Sequence, residues 1–374
     1  MDFVEYAGKQ ILAAAGLAIP RGIHCTTAED VVDAVRILGP SAIKAQVPIG
    51  KRGKAGGIKL VGDESEARSA AGQILGMSIG GYRVPSVLVE QKAAISREFY
   101  AAVMNDTAAR QPLVLFSAEG GMDIEELAQS RPEAICRIAV DIEKGLDARQ
   151  VGAALAAVDL GAQRDAVAEL LVRVYEVYLQ RDAELVEINP LAVLADGSLV
   201  ALDCKFRIDD SAGFRQAEQL AQGTPEPRSE LEARGAELGF KYIELDGEVG
   251  LLANGAGLTM TTMDVIAHCG GRAANFLEIG GDAYTKATPA LELVLANPKV
   301  KSLVVNFCGA FARTDVMTQG VVDAWATLRP TVPVFFSIHG TGEEEAVAIL
   351  QQHLGIEPYD RMEDAVQAAV EAAR

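Results

Sequence analysis

Val249-Gly250-Leu251-Leu252-Ala253-Asn254-Gly255-Ala256-Gly257 is a short apolar run that stops in a turn of small residues. The pattern recurs three times. Ala274–Ile279 runs into Gly280-Gly281-Asp282-Ala283, Lys301–Cys308 into Gly309-Ala310-Phe311-Ala312, and Val332–Ile338 into His339-Gly340-Thr341-Gly342. Helical segments fill the intervals, and a weaker unit runs from Ile356 to the end. Strands alternating with helices at a spacing of about 25–30 residues specify a parallel, doubly wound sheet. In such a sheet ligands sit beyond the carboxyl ends of the strands, where helix N-termini offer N–H groups to anions.

Upstream of this segment the rhythm differs. Two helices are expected in the first forty residues: Phe3, Tyr6, Ala7, Ile11 and Leu12 recur at helical spacing, and Thr27 with Asp30 forms a capping box before Val31. Strand-like runs follow at Ser41–Val47, Gly57–Val61, Ser86–Gln91, Glu98–Met104 and Pro112–Ser117, with a helix opened by Asp63 and Glu66. Long helices are expected near Pro132–Glu143 and Arg164–Gln180. A hairpin with arms Leu185–Leu194 and Leu199–Phe206 then turns at Asp196-Gly197. The polar stretch from Asp209 to Pro227 breaks the pattern, and the domain boundary is expected near residue 235, giving domains 1–235 and 236–374.

The 374 residues suit two or three folding units, and 49% apolar with 23% charged residues excludes a largely disordered chain. The net charge of −18 divides as −10 before residue 241 and −8 from residue 241 onward, so the acidity is no tail. A chain this negative is a poor general ligand for nucleic acid or anionic membrane. No stretch has the 18 or so apolar residues of a membrane span, and MDFVEYAGKQ does not read as a secretion signal. Five scattered cysteines without CxxC spacing fit free thiols in a reducing, cytoplasmic compartment or its mitochondrial-matrix equivalent.

Three constellations carry possible chemistry. In Lys44-Ala45-Gln46-Val47-Pro48-Ile49-Gly50-Lys51-Arg52-Gly53-Lys54-Ala55-Gly56-Gly57, a strand lysine leads into a glycine-rich loop with three more cations, suited to closing over phosphates. An exposed basic hairpin tip has the same composition. Glu187 and Asn189 share one strand face, and Asp203 lies on the opposing arm. These oxygens suit Mg²⁺ if a three-residue loop over 195–197, or a bulge, sets Asp203 opposite Asn189; a two-residue Asp-Gly turn sets it opposite Pro190, on the wrong face. Glu90 and Glu98 flank a connection that could meet a ribose or an adenine amino group, although surface acids are commoner. The four histidines form no cluster, and only His339 stands at a strand end in a ligand position.

The segments MDFVEYAGKQILAAAGLAIPRG, KRGKAGG, SAEGGMDIEE, EINPL with LDCK, NGAGLTMTTMD and NPKVKSLVVNFCGAFARTD closely resemble the β subunit family of succinyl-CoA synthetase. The resemblance implies an α/β chain with an ATP-grasp domain of two lobes followed by a flavodoxin-like domain. It implies nucleotide contacts at Lys44, Lys51, Arg52, Gly53, Glu90, Ala93 and Glu98, and Mg²⁺ at Asn189 and Asp203. Glu187 matches the glutamate that steadies a phosphohistidine; Asn254, Ala310, Phe311 and Ala312 match carboxylic-acid positions. The implied reaction, a step of the tricarboxylic acid cycle, is acid + CoA + NTP ⇌ acyl-CoA + NDP + phosphate, with ATP or GTP as substrate. The implied partner is an α subunit carrying that histidine and the CoA-binding domain, giving an αβ pair or a dimer of pairs.

Departures from the family pattern fall in telling places. Pro48-Ile49-Gly50-Lys51 replaces His-Ala-Gly-Gly, and Cys308-Gly309-Ala310-Phe311-Ala312-Arg313 replaces Phe-Gly-Gly-Ile-Val-Arg. Glu278-Ile279-Gly280-Gly281-Asp282 replaces Asp-Val-Gly-Gly-Gly, and Ser337-Ile338-His339-Gly340-Thr341 replaces Arg-Leu-x-Gly-Thr. Changes on the acid-binding side keep malate– or citrate–CoA ligase chemistry open as an alternative. Two further alternatives are a non-catalytic β-like partner and an ATP-grasp ligase joining a carboxylate to an amine.

Overall fold

The computed structural model describes residues 1–225, 228–279 and 286–374. The expected turn Gly280-Gly281-Asp282-Ala283 and the dipeptide Glu226-Pro227 lie outside the described residues. Two compact units are present, Met1–Glu226 and Pro227–Arg374.

Among the described residues the first unit holds two main antiparallel sheets besides a two-stranded ribbon, Ser78–Ile79 with Tyr82–Arg83. The smaller has the order Gly22–Cys25, Val87–Gln91, Ser41–Ala45, Ile58–Val61. Helices Ala28–Leu38 and Glu64–Ile74 cover one face of it, burying Val31, Val35, Ala67 and Ile74 against Ile43 and Val89. Both helices are capped as the sequence predicts: the Thr27–Asp30 box is complete, and the Asp63 side chain accepts from the Glu66 N–H.

The larger sheet has seven strands: Asp2–Phe3, Lys205–Ile208, Ala183–Leu194, Ile95–Asp106, Gln111–Ser117 and Cys136–Ala139 in order, with Leu199–Ala201 pairing off Ala183–Leu194. Helices Glu5–Ala14 and Arg164–Gln180 pack Leu12, Leu171 and Val174 onto Phe99, Val103 and Val186. The helix expected over Pro132–Glu143 is absent. Pro132 starts only a 3₁₀ turn, and Cys136–Ala139 is an edge strand pairing with Leu113–Phe116. Proline at the first position permits a turn, but Cys136-Arg137-Ile138-Ala139 alternates with period two, and the open sheet edge supplies hydrogen bonds.

In the second unit Val249–Ala253, Ser302–Gly309 and Val334–Gly340 pair in parallel. Parallel bridges join Ala253 to Glu278 and Ser337 to Tyr359, extending the order to the 2-1-3-4-5 arrangement of a flavodoxin-like sheet. Tyr242–Glu244 adds an antiparallel edge beside Asn275–Leu277. Consecutive strand residues serve opposite faces. Leu251 and Val304 pack on helices Ala256–His268 and Met362–Ala373, while Leu252, Val305 and Phe307 pack on Ala287–Leu295, Thr314–Leu328 and Glu343–Leu354.

Candidate functional site

The hairpin sets the geometry of the first unit's site. Leu191 pairs with Ala201 and Glu187 with Lys205, and between them the Leu202 N–H donates to the Pro190 carbonyl at 3.1 Å. One register thus runs through the gap and places Asp203 opposite Asn189. The loop is residues 195–197, closed by the Leu194 N–H on the Ser198 carbonyl. On its other side the strand bulges, pairing Ile188 with Ala101 and then Leu191 with Phe99. That bulge frees Asn189 from the ladder and turns it to a cavity.

The cavity has a volume of about 500 Å³ and is lined by Lys51, Arg52, Glu187, Asn189, Asp203 and Lys205 among others. Asn189 Oδ1 accepts from the Gly121 N–H at 2.8 Å, and its Nδ2 donates to the Met122 carbonyl at 2.9 Å. Gly121 has φ +72°, a left-handed backbone position that favours glycine, and the Glu98 carboxylate packs against its α-carbon side. Glu187 accepts from the Tyr100 hydroxyl at 3.3 Å; burial pushes its carboxyl above the ordinary range, opposed by Lys205.

Behind the cavity lies a buried charge cluster. Glu5, on the first helix, meets Lys9 at 2.6 Å, Lys44 at 2.8 Å and Arg52 at 2.8 Å. Glu90 meets Lys9 at 2.6 Å and Lys44 at 2.5 Å. Arg52 Nη2 also reaches both Asp203 oxygens, at 2.6 and 2.8 Å, and its Nη1 donates to the Ala45 carbonyl at 2.9 Å. Burial raises the Glu5 carboxyl, but Lys44, Lys9 and Arg52 together outweigh it and hold the group well below the carboxylate range. Burial likewise depresses the Lys44 ammonium, and Glu5, Glu90 and Asp203 reverse that and raise it. Glu5 Oε2, although close to Arg52, has no partner in hydrogen-bonding geometry. It faces a recess of about 120 Å³ shared with Arg52, Glu187, Asn189 and Asp203.

The other predicted positions are less concentrated. Lys51, at φ +61°, pairs with Asp123 at 2.9 Å and Glu125 at 3.3 Å, both of which also line the cavity. Gly53 lines the cavity with it. Both Glu90 oxygens are taken by lysines. Ala93 lies in the link between Val87–Gln91 and Ile95–Asp106, and Glu98 stands against Gly121; neither lines the cavity. Sequence reading missed Glu5, Lys9, Tyr100, Asp123 and Lys205. Only the spacing of Glu5 and Lys9, four apart on a helix, was visible.

Mg²⁺ keeps much of its water and takes one or two protein oxygens plus phosphate. Asn189 Oδ1 and the Asp203 carboxylate suit it. Among the described residues no group of three His, Cys, Asp or Glu side chains could hold a metal; the two oxygens of Asn189 and Asp203 match the one or two protein ligands Mg²⁺ takes beside phosphate and water. Asp203 Oδ1 accepts from Arg52 and from the Cys204 N–H, whereas Oδ2 accepts only from Arg52 and retains a lone pair.

In the second unit Asn254 follows the strand Val249–Ala253. Its Nδ2 donates to the Cys308 carbonyl and its Oδ1 accepts from the Cys308 N–H, both at 2.8 Å, prolonging the ladder by a side chain. Beyond lies Ala310-Phe311-Ala312, with Phe311 fully exposed. The Thr341 hydroxyl donates to the Ala310 carbonyl at 2.8 Å, and His339 Nδ1 lies 3.5 Å from Glu343. Asn254, residues 310–312 and His339 therefore gather at adjacent carboxyl ends of the sheet.

An ATP-grasp domain model matches residues 2–193, and a CoA-ligase model matches residues 252–371. The chain is 43% identical to the β subunit of the ADP-forming succinate–CoA ligase of Ignicoccus hospitalis, across 100% of both chains. It is 42% identical to the corresponding subunit of Desulfurococcus amylolyticus, covering 100% of this chain and 99% of that one. Among solved structures, ATP citrate lyase from Methanothrix soehngenii, in complex with citrate and coenzyme A, aligns with a TM-score of 0.75 at 24% identity, covering 99% of each chain. That likeness is one of fold.

Proposed function

The chain belongs to the β-subunit family of ADP-forming succinate–CoA ligases, and from that premise we propose that it is the nucleotide-binding subunit of an acid–CoA ligase. The reaction is acid + CoA + ATP ⇌ acyl-CoA + ADP + phosphate, through an acyl phosphate and a phosphohistidine on an α-type partner that also carries the CoA-binding domain. The observation that carries this reading is the convergence of Arg52, Glu187, Asn189 and Asp203 on one cavity, with Lys44 directly behind it.

Lys44 and Arg52 bind the nucleotide's phosphates in a low-dielectric setting that strengthens both attractions. Mg²⁺, when bound by Asn189 and Asp203, supplies charge neutralisation at those phosphates. Glu187 accepts a hydrogen bond from one imidazole N–H of the partner's histidine, leaving the other nitrogen's lone pair toward the γ-phosphorus. An N–P bond forms as the bond to the ADP oxygen breaks. Covalent storage on a mobile carrier splits one transfer into two and lets the carrier visit the acid and CoA sites.

Asn254, Ala310, Phe311 and Ala312 form the acid site. Succinate is the first reading; Phe311 and His339, which depart from the family pattern, favour citrate or malate as the second. A rate survey of carboxylic acids on the chain purified with its partner separates them. Succinate outrunning every other acid supports the first reading, and a preferred hydroxy acid replaces it. Unpaired cysteines throughout support a reducing, cytoplasmic setting.

A further inference from the structure

Lys9 and Lys44 bind the same acceptors. Lys44 Nζ lies 2.8 Å from Glu5 Oε1, 2.5 Å from Glu90 Oε2 and 2.5 Å from the Leu202 carbonyl oxygen. Lys9 Nζ lies 2.6 Å from Glu5 Oε1, 2.6 Å from Glu90 Oε1 and 2.7 Å from that same carbonyl. An ammonium has three N–H donors, so protein oxygens saturate both lysines. A phosphate oxygen must take one of the bonds Lys44 already makes. Were Lys44 alone, that exchange would leave buried Glu90 without a cation and Glu5 with Arg52 only, a severe penalty. With Lys9 in place, both carboxylates and the carbonyl keep an ammonium when Lys44 turns away. The lysines differ in access: Lys44 is 8% exposed and Lys9 only 1%.

We infer that Lys9 is a positioning residue for nucleotide binding: it is the resident counter-ion of Glu5 and Glu90 that releases Lys44 to the nucleotide's phosphates. The inference rests on the reading of Lys44 as a nucleotide contact. Lys9 itself stays behind the site and does not touch the ligand.

Charge balance fixes the sign of each perturbation. Glu5, Glu90 and Asp203 match Lys9, Lys44 and Arg52 one for one. Lys9→Met leaves a surplus acid that ties Lys44 down; Glu5→Gln leaves a surplus cation; the double variant is balanced again. Calorimetric titration of MgATP into the chain assembled with its α-type partner reads the consequences.

Relative to wild type, Kd should rise about tenfold in Lys9→Met, fall severalfold in Glu5→Gln, and return to within about threefold in Lys9→Met/Glu5→Gln. A purely structural Lys9 predicts weaker binding in both single variants and weaker still in the double one, and that pattern overturns the inference. Lys44→Met separates it from the reading beneath it. Undiminished affinity in Lys44→Met removes the nucleotide site and the inference together, whereas loss there with no change in Lys9→Met removes the inference alone. Should Lys9→Met fail to assemble, tight binding by Glu5→Gln with near-wild-type binding by the double variant supports the inference, and any other result overturns it.

Discussion

Arg52 grips Asp203 through a single nitrogen, Nη2, which lies 2.6 and 2.8 Å from the two carboxylate oxygens across 151 positions of sequence. The contact ties the glycine-rich loop to the metal-ligand arm of the hairpin, so phosphate binding and metal binding share one pair of side chains. Asp203→Asn should abolish phosphorylation of the partner histidine. It should cost about 1–2 kcal/mol of stability, because Asp203 is 31% exposed and Arg52 keeps Glu5 and the Ala45 carbonyl. Chemical denaturation together with a phosphotransfer assay checks both halves; retained phosphotransfer defeats the metal assignment.

The buried cluster gives stability a definite pH dependence. The folded-state pKa of Glu5 is depressed by Lys44, Lys9 and Arg52 in spite of burial, so its contribution is present above the unfolded value, about 4.3. It is lost as pH falls below that value toward the depressed folded one. Glu5→Gln should therefore be less stable than wild type at pH 7 by about 3 kcal/mol. The gap should narrow steadily as pH drops below about 4. Urea midpoints across pH test this; a gap independent of pH would show that Glu5 is not ionised in its pairing.

Lys51 occupies a left-handed backbone position where the family pattern has glycine, and its ammonium is spent on Asp123 and Glu125. Lys51→Gly removes the strain and two exposed ion pairs together, so the melting temperature should change by only about 2 °C. MgATP affinity should move by less than about threefold, because one solvent-exposed charge is screened. Arg52→Ala should weaken it far more. Equal losses in the two variants would place Lys51 on the phosphates instead.

At the acid site, Phe311→Ala should change kcat/KM for the preferred acid by about tenfold while leaving the nucleotide KM unaltered, since one apolar contact is worth roughly 1–3 kcal/mol. His339→Arg should alter the ranking of acids. A shift confined to the nucleotide KM would place these residues outside the acid site.

The legible parts of this protein are those fixed by local chemistry. Small-residue turns after apolar runs marked the parallel strands, and the hairpin alternatives could be written down because side-chain alternation leaves only two. The misread segment, Pro132–Glu143, had a helix-compatible start but took its hydrogen bonds from a distant sheet edge. Glu5 and Lys9 were invisible for a different reason. Four residues apart on an amphipathic helix, they have the spacing of an ordinary surface pair. Only the tertiary fold reveals that Lys44, Arg52 and Glu90 stand opposite them. The Asn189 bulge was hidden in the same way, since it depends on pairing with a strand some ninety residues earlier.

The most direct test of the whole account is transfer of label from [γ-³²P]ATP with Mg²⁺ to the chain assembled with its α-type partner. A phosphohistidine route places acid-labile, base-stable label on a histidine of the partner, lost in Asp203→Asn and in Glu187→Gln and discharged by CoA with the preferred acid. Label on this chain, or no label under saturating nucleotide, would contradict it.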